Sequence, residues 1–214
     1  IFLIVGAVAP LTLALIDSFR ELSMTSLTKR GAFIGLDNYR DLIGKDSHFY
    51  GAILHTAILM AIAVPLEFVF GLLIALWINR AFTGRRLVLT ILMIPTMIAP
   101  VVVGMIWRFF LMPSFGVMTV YLNDIGLFEE TTVFSESLTA FGALVIIDIW
   151  EWTPFIMLIM LAGLSSMPKA PIEAATIDGA TRWQILRHVQ LPLLRPLIII
   201  AVMLRAIDAS KIFD

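Results

Sequence analysis

The chain has 214 residues, of which 60% are apolar and only 14% charged, with a formal net charge of −1 and a mean hydropathy of +0.97. Soluble domains carry about 25% charged residues, so this composition excludes an ordinary globular domain and belongs to a membrane. The balanced charge gives no basis for nucleic-acid binding, and zero cysteines exclude disulfides and thiolate metal sites.

Taken in order, five apolar runs approach the roughly 20 residues that a spanning helix needs. Residues 1–16 form the first. They lack a basic leader and a small-residue cleavage site, so they read as a truncated span rather than a signal peptide. The chain as a whole reads as a fragment of a longer protein, with a sixth helix expected after residue 214. Residues 51–78 contain Pro65 and Glu67. At 1.5 Å per residue this run would be about 42 Å long, so it must tilt, kink at Pro65, or project beyond the hydrocarbon. Residues 87–110 form the third run, with Pro95 and Pro100 inside it. Residues 138–164 form the fourth, with Asp148, Glu151 and Pro154. The fifth runs from 193 to about 207. Proline is tolerated in such helices because neighbours can satisfy the freed carbonyls. The expected fold is all-α, a polytopic transmembrane helical bundle forming a single domain over residues 1–214.

Orientation follows from the short loops. Residues 79–86 carry Arg80, Arg85 and Arg86, and residues 165–192 carry Lys169, Arg182 and Arg187. The loop at 111–137 has no Lys or Arg but holds Asp124, Glu129, Glu130 and Glu136. The positive-inside rule puts the first two loops in the cytoplasm and the third outside. The segment 17–50, with Arg20, Lys29, Arg30, Arg40 and Lys45, then lies outside against the rule; its charges are sparser and interleaved with acids.

The polar loop at 165–192 has its own local code. Pro168 and Pro171 suit the start of a helix, and Ala174 and Ala175 favour its continuation. Asp178-Gly179 is a turn signal, because glycine accepts positive φ. Thr181-Arg182-Trp183-Gln184 matches a capping box that opens a second helix. Leu191-Pro192 is expected to end it, since a residue before proline is pushed out of the α region. The result is a helix–turn–helix on the cytoplasmic membrane face, with small residues at 174, 175, 179 and 180 leaving room for another protein.

Glu173-Ala174-Ala175, then Gly179, then Val189, Leu191 and Pro192 resemble the "EAA" signature of permease subunits of binding-protein-dependent ABC importers. Val189 stands where isoleucine is usual. Ala162-Gly163-Leu164 followed by Pro168 is similar to the approach to that signature. Gly84-Arg85-Arg86 with Ile94-Pro95, Trp152-x-Pro154-Phe155, and the stretch Ile207-Asp208-Ala209 through Lys211, Ile212, Phe213 and Asp214 resemble the carbohydrate branch (the maltose, trehalose and glycerol-phosphate type). Ser210 stands where that branch often has an aromatic residue. The resemblance implies a multi-pass subunit of the prokaryotic inner or plasma membrane, paired with a second permease, identical or homologous. It implies two ATPase subunits that bind ATP and Mg, and an external solute-binding protein. It implies that Glu173, Ala174, Ala175, Asp178 and Gly179 contact the ATPase, with Leu191 and Pro192 completing the coupling loop. The chain itself would not be an enzyme, would hold no cofactor, and would transport a mono-, di- or oligosaccharide by alternating access.

Acids inside a span cost about 2.5–3.5 kcal/mol on insertion scales and usually face an interior or a pathway. Glu67, Asp148 and Glu151 are the candidates. Asp148 and Glu151 are three residues apart, on one helical face. Trp150 and Trp152 would stack on a sugar ring while the acids accept its hydroxyl hydrogens. The structural alternatives are pairing of the acids with arginine and tryptophans placed at a membrane interface. Arg205, Asp208 and Lys211 read as an ion-pair cluster at the outer end of the last span.

The phosphate-binding loop is absent: Gly44-Lys45 is followed by Asp46. No G-x-S-x-G occurs, and His48, His55 and His188 have no metal-ligand spacing. Two other readings stay open beside the sugar importer. One is an importer of the same superfamily for another solute, such as glycerol phosphate, an amino acid or a peptide. The other is an ion-coupled secondary transporter in which Glu67 or Asp148 carries protons. A membrane hydrolase using Asp148 and Glu151 would need a further feature.

Overall fold

A computed structural model describes residues 4–21, 31–44, 46–113, 115–124, 126, 133 and 136–211. Among the residues singled out above, Lys29, Arg30, Lys45, Glu129, Glu130, Ile212, Phe213 and Asp214 lie outside the described residues, as do the first three of the first apolar run. The regular structure of the described residues is helical, as the all-α reading expects; one isolated antiparallel bridge joins Arg20 to Phe33. The chain divides into two compact units, residues 1–55 and 56–214.

In the first unit a π-helical turn, Ile4–Val8, leads into α1 (Ala9–Asp17). The described apolar helix here, Val5–Asp17, is about 20 Å long, short of the ~30 Å hydrocarbon core. The turn after it is closed by side chains of α2 (Asp37–Gly44). Asn38 donates to the carbonyls of Ser18 (2.8 Å) and Arg20 (3.0 Å), and the Ser18 and Tyr39 hydroxyls share a 2.6 Å hydrogen bond.

The helix α3 (Ser47–Ile78) starts in the first unit and continues through the second as one helix of 32 residues. It starts earlier than its apolar run, and Pro65 does not break it. The third apolar run is not one straight span. It forms α4 (Arg85–Met97) and α5 (Pro100–Phe110), bent by 92°. Ile98 and Ala99 between them are extended, with ψ of 138° and 136°. Pro100 accounts for the break: it drives Ala99 out of the α region and has no N–H to continue the ladder. Hydropathy, which counts apolar side chains, does not register this backbone event.

After α6 (Val117–Asp124) comes α7 (Ser137–Ser166). The polar loop holds α8 (Ala170–Ile177) and α9 (Arg182–Ile185). A π-helical turn, Leu186–Gln190, joins α9 to α10 (Leu191–Ala209). Among the described residues three helices are long and apolar enough to cross a membrane, His48–Ile78, Ser137–Ser166 and Arg182–Ala209, and the bent pair makes up to four. The sequence leads to five expected spans; the described part of the first is short, and the third is broken.

In the second unit α7 is the central helix. Ile156, Met157, Met160, Leu161 and Leu164 of α7 pack with Leu72, Ala75 and Ile78 of α3 and with Leu194 and Ala201 of α10, and α4 also lies against α7. Glycines set the close approaches. A Cβ at Gly71 of α3 would come within 2.9 Å of the Met157 backbone nitrogen on α7. Only 17% of the apolar window of the last span is buried within the chain, so most of that surface is left for lipid or another subunit.

Candidate functional site

The polar loop folds by short-range bonds. Pro171 sits in the first turn of α8, where its missing N–H leaves no bond unmade. The helix ends in a Schellman motif. The Ala180 N–H donates to the Ala175 carbonyl (3.0 Å), the Gly179 N–H donates to Thr176 (3.1 Å), and Gly179 has φ +80°. An added Cβ at Gly179 would meet nothing within 4 Å, so the positive φ alone calls for glycine here. The capping box read from the sequence is present. The Thr181 hydroxyl accepts from the Gln184 N–H at 3.3 Å, and Gln184 Oε1 accepts from the Thr181 N–H at 2.7 Å.

One local expectation is corrected. Leu191-Pro192 does not end the second helix. Helical structure runs on from Arg182 to Ala209, with the Leu191 N–H donating to the Leu186 carbonyl in the widened turn. Proline at 192 has no N–H and crowds the preceding turn; the π turn absorbs that misfit without stopping the helix. The loop is thereby built into the start of the last membrane helix.

Glu173, Ala174, Asp178 and Gly179 are exposed, and Ala175 and Leu191 are half-buried. Ala175, Asp178 and Gly179 join Gln184, His188 and Val189 around a pocket of about 320 Å³. Two large apolar side chains stand out beside it: Ile177 is 86% exposed and Trp183 65%. Uncovered apolar side chains of this size on a polar loop mark a contact surface.

The membrane acids form a second group. Arg205 of α10 is 1% exposed, and Glu67 of α3 is fully buried. Arg205 Nε donates to Glu67 Oε2 at 2.8 Å, and one terminal nitrogen donates to Glu67 Oε1 at 3.1 Å. That same nitrogen bonds Asp148 of α7, and the other lies 3.5 Å from Asp208. The guanidinium sits 4.9 Å above the Trp152 ring. One cation therefore ties three membrane helices and is itself held by an aromatic face.

The Arg205–Asp208 pair of the expected outer-end cluster is present, but the inclusion of Lys211 and the placing of Arg205 at an outer end are corrected. Arg205 turns inward and serves Glu67 and Asp148 first, while Lys211 is exposed. Leu194, Ala201, Arg205 and Ala209 are the buried residues of α10, and their spacing puts Arg205 on the inward stripe of that helix. The arginine pairing noted as an alternative for the acids holds for Glu67 and Asp148. Glu151 is 6% exposed, and among the described residues its carboxylate has no hydrogen bond or ion pair; its backbone carbonyl accepts from the Thr96 hydroxyl at 2.8 Å. Trp150 is 41% exposed and stands edge-on to Trp107, with ring centres 5.6 Å apart. Trp152 is under the guanidinium and edge-on to Phe155.

Comparison with known proteins adds independent findings. Residues 67–213 match the family described as binding-protein-dependent transport system inner membrane component. The trehalose transport system permease protein SugA of Mycobacterium tuberculosis is 37% identical over 183 residues, 86% of this chain and 58% of SugA. The trehalose/maltose transport system permease protein MalF of Thermococcus litoralis is 34% identical over 182 residues, covering 85% of this chain and 61% of the relative. This chain thus spans about three-fifths of the length of these relatives. A bacterial ABC transporter involved in the import of the acidic polysaccharide alginate aligns with TM-score 0.78 and 26% identity, covering 98% of this chain and 70% of that one. A bacterial alginate ABC transporter in complex with an alginate pentasaccharide-bound periplasmic protein aligns with TM-score 0.76 and 26% identity, covering 95% of this chain and 67% of that one. The resemblance read from the motifs, including its carbohydrate branch, agrees with these names.

Proposed function

The chain belongs to the binding-protein-dependent transport system inner membrane component family, and from that premise we propose that it is one permease subunit of an ATP-driven importer for a mono-, di- or oligosaccharide. The sugar class is supported by the trehalose, maltose and alginate names of its relatives. Its partners are a second permease, identical or homologous, two ATPase subunits that hold ATP and Mg, and an external solute-binding protein; the periplasmic protein in the alginate complex supports the last of these. The assembly sits in a prokaryotic inner or plasma membrane, with the loop at 165–192 on the cytoplasmic side.

The observation that carries this reading is the continuity of the loop with the membrane. The ATPase contacts Glu173, Ala174, Ala175, Asp178 and Gly179, with Ile177 and Trp183 supplying apolar anchors. Closure of the ATPases then acts on a helix that extends from Arg182 to Ala209, which passes through Leu191 and Pro192. Motion of the loop becomes motion of α10 against α7, and the helices alternate between outward and inward access. Arg205 already occupies Glu67, Asp148 and the face of Trp152, so exposed Trp150 is the group best placed to stack on a sugar in the pathway. A secondary carrier that moved protons on Glu67 or Asp148 would need one of those acids free of the guanidinium.

The test is a pair of substitutions in the full importer reconstituted in lipid. Gly179→Val places a β-branched residue at φ +80°, a conformation it rarely adopts. The variant is expected to insert and assemble in the bilayer but to lose solute-dependent ATP hydrolysis and uptake. Gly179→Asn, which tolerates the left-handed region, is expected to retain most of both. Normal uptake by the valine variant would remove the loop from the mechanism. Co-purification from native membrane in mild detergent, with subunits identified by mass spectrometry, checks the partners directly.

A further inference from the structure

The importer reading makes no use of α2, the short helix of the first unit, yet that helix is pinned at both ends. Gly35, at φ +63°, turns the chain toward it. At its start Asn38 holds the carbonyls of Ser18 and Arg20 just past α1, and the Tyr39 ring packs on Phe19 with centres 5.7 Å apart. At its end the Tyr50 hydroxyl, in the first turn of α3, donates to the Ile43 carbonyl at 2.8 Å. Asp46 closes the link between the two helices, its carboxylate accepting from the His48 N–H at 2.9 Å. The position of α2 is therefore set by the ends of two apolar helices.

Its side chains fall into three sets. Asn38 and Tyr39 are bonded to the end of α1. Asp37 and Arg40 pair with each other at 3.5 Å, and both are exposed. Leu36 and Ile43 form the third set. Leu36 precedes α2 by one residue, and its carbonyl accepts from the Arg40 N–H at 3.0 Å, as in a helix. At 100° per residue Leu36 and Ile43 lie within about 20° of each other, and Asp41 lies about 140–160° away from both. Leu36 is 56% exposed and Ile43 60%. What continues this apolar flank indicates what covers it. Tyr50, bonded to Ile43, is exposed, as are Ile53 and Leu54, which share its face of α3 at spacings of three and four. The flank of α2 thus runs on into the exposed stripe of a helix long and apolar enough to cross a membrane. The charges of α2 are of both signs and pair in part within the helix, so they form no single-signed patch for a protein partner.

We propose that α2 is an interfacial anchor: it lies in the membrane surface at the end of α3 away from Arg80, with Leu36 and Ile43 among lipid acyl chains and Asp41 in water. An amphipathic helix holds such a position by burying its apolar side at the boundary between headgroups and acyl chains. Tyr50 joins it there, with its ring in the apolar layer and its hydroxyl on the Ile43 carbonyl, as tyrosines at membrane interfaces are placed. The anchor fixes where the bilayer surface crosses α3. That helix has 32 residues, about 48 Å against a hydrocarbon core of about 30 Å. With one surface held near Tyr50, the excess is taken up by tilt or by projection at the Arg80 end. The inference goes beyond the importer reading and needs only that α3 crosses a bilayer.

The sequence contains no cysteine, so a nitroxide on a single introduced cysteine reports one site. Leu36→Cys, Asp41→Cys and Ile43→Cys are labelled one at a time in the full-length chain, purified with its unlabelled partner subunits in lipid nanodiscs. Power saturation compares collisions with oxygen, which concentrates among acyl chains, and with a nickel chelate, which stays in water. The oxygen-to-nickel ratio is expected to be about tenfold higher at 36 and at 43 than at 41. Equal ratios at the three positions would put the flank in water and overturn the proposal. Low accessibility to both reagents at 36 and 43, with immobilised spectra, would show a protein subunit on the flank and overturn it as well. Because Leu36 and Ile43 share the flank, either label alone suffices if the other variant fails to assemble. A membrane-impermeant maleimide gives a second readout without a label in the lipid. It is expected to react with Asp41→Cys about tenfold faster than with Ile43→Cys in the bilayer, and at equal rates after denaturation. Equal rates in the bilayer would again remove the anchor.

Discussion

The polar loop and the buried charge cluster stand at opposite ends of the same continuous helical stretch, Arg182–Ala209, and they are held by opposite kinds of bond. In the loop the capping and turn bonds connect residues three to five apart, such as Gln184 to Thr181 and Ala180 to Ala175. In the cluster Arg205 reaches partners 138 and 57 residues away. The loop is exposed, so water replaces any bond that is lost. In the cluster Arg205 and Glu67 are buried, so a lost partner leaves a charge without solvation. Damage to the loop should therefore impair communication and spare the bundle, whereas damage to the cluster should unfasten the bundle itself.

The largest expected effect is at Arg205. Arg205→Ala leaves Glu67 and Asp148 facing each other without a cation, at a cost of about 3–5 kcal/mol. A clear fall in the thermal unfolding midpoint in detergent is expected. Combining it with Glu67→Gln and Asp148→Asn should restore much of the loss, because no buried charge is then unpaired. Failure of that rescue would mean that the arginine acts through packing rather than charge.

Next is Gly71, which sharpens the contrast within the buried region. Gly71→Ala forces its methyl against the backbone of α7 and is expected to cost about 1–3 kcal/mol. Gly163→Ala meets only the tips of Leu194 and Leu197 and is expected to cost less. Unfolding midpoints of the two variants, compared in one detergent, check the order, and a reversed order would contradict the closer approach of α3 to the α7 backbone at Gly71.

The smallest effect belongs to the loop. Thr181→Ala removes the cap from Gln184 and should destabilise α9 by about 1 kcal/mol, with the global midpoint almost unmoved. Hydrogen exchange at the Gln184 amide is the readout. Faster exchange confined to 182–185 would support local folding of the loop, and a global loss of protection would contradict the separation of loop from bundle.

Much of the loop was legible because its information is sequential. Pro171, Gly179, Thr181 and Gln184 each act on backbone groups within five positions, so a string of letters carries the whole instruction. The exception was Pro192, where the rule for ending a helix lost to a π turn that the following apolar run makes worthwhile. The broken third span was half legible: Pro100 signals a break, but the continuous apolar run around it signals one span.

By itself the sequence determined that this is an all-helical membrane protein of this permease family, and where its polar helix–turn–helix lies, because hydropathy, caps and turn residues are properties of neighbouring positions. Only the tertiary structure decided that Arg205 turns inward, that Glu67 and Asp148 share it, and that Glu151 has no bonded partner. Those facts depend on which faces of α3, α7 and α10 meet, and the close approaches at Gly71 and Gly163 that set this join residues at least thirty positions apart.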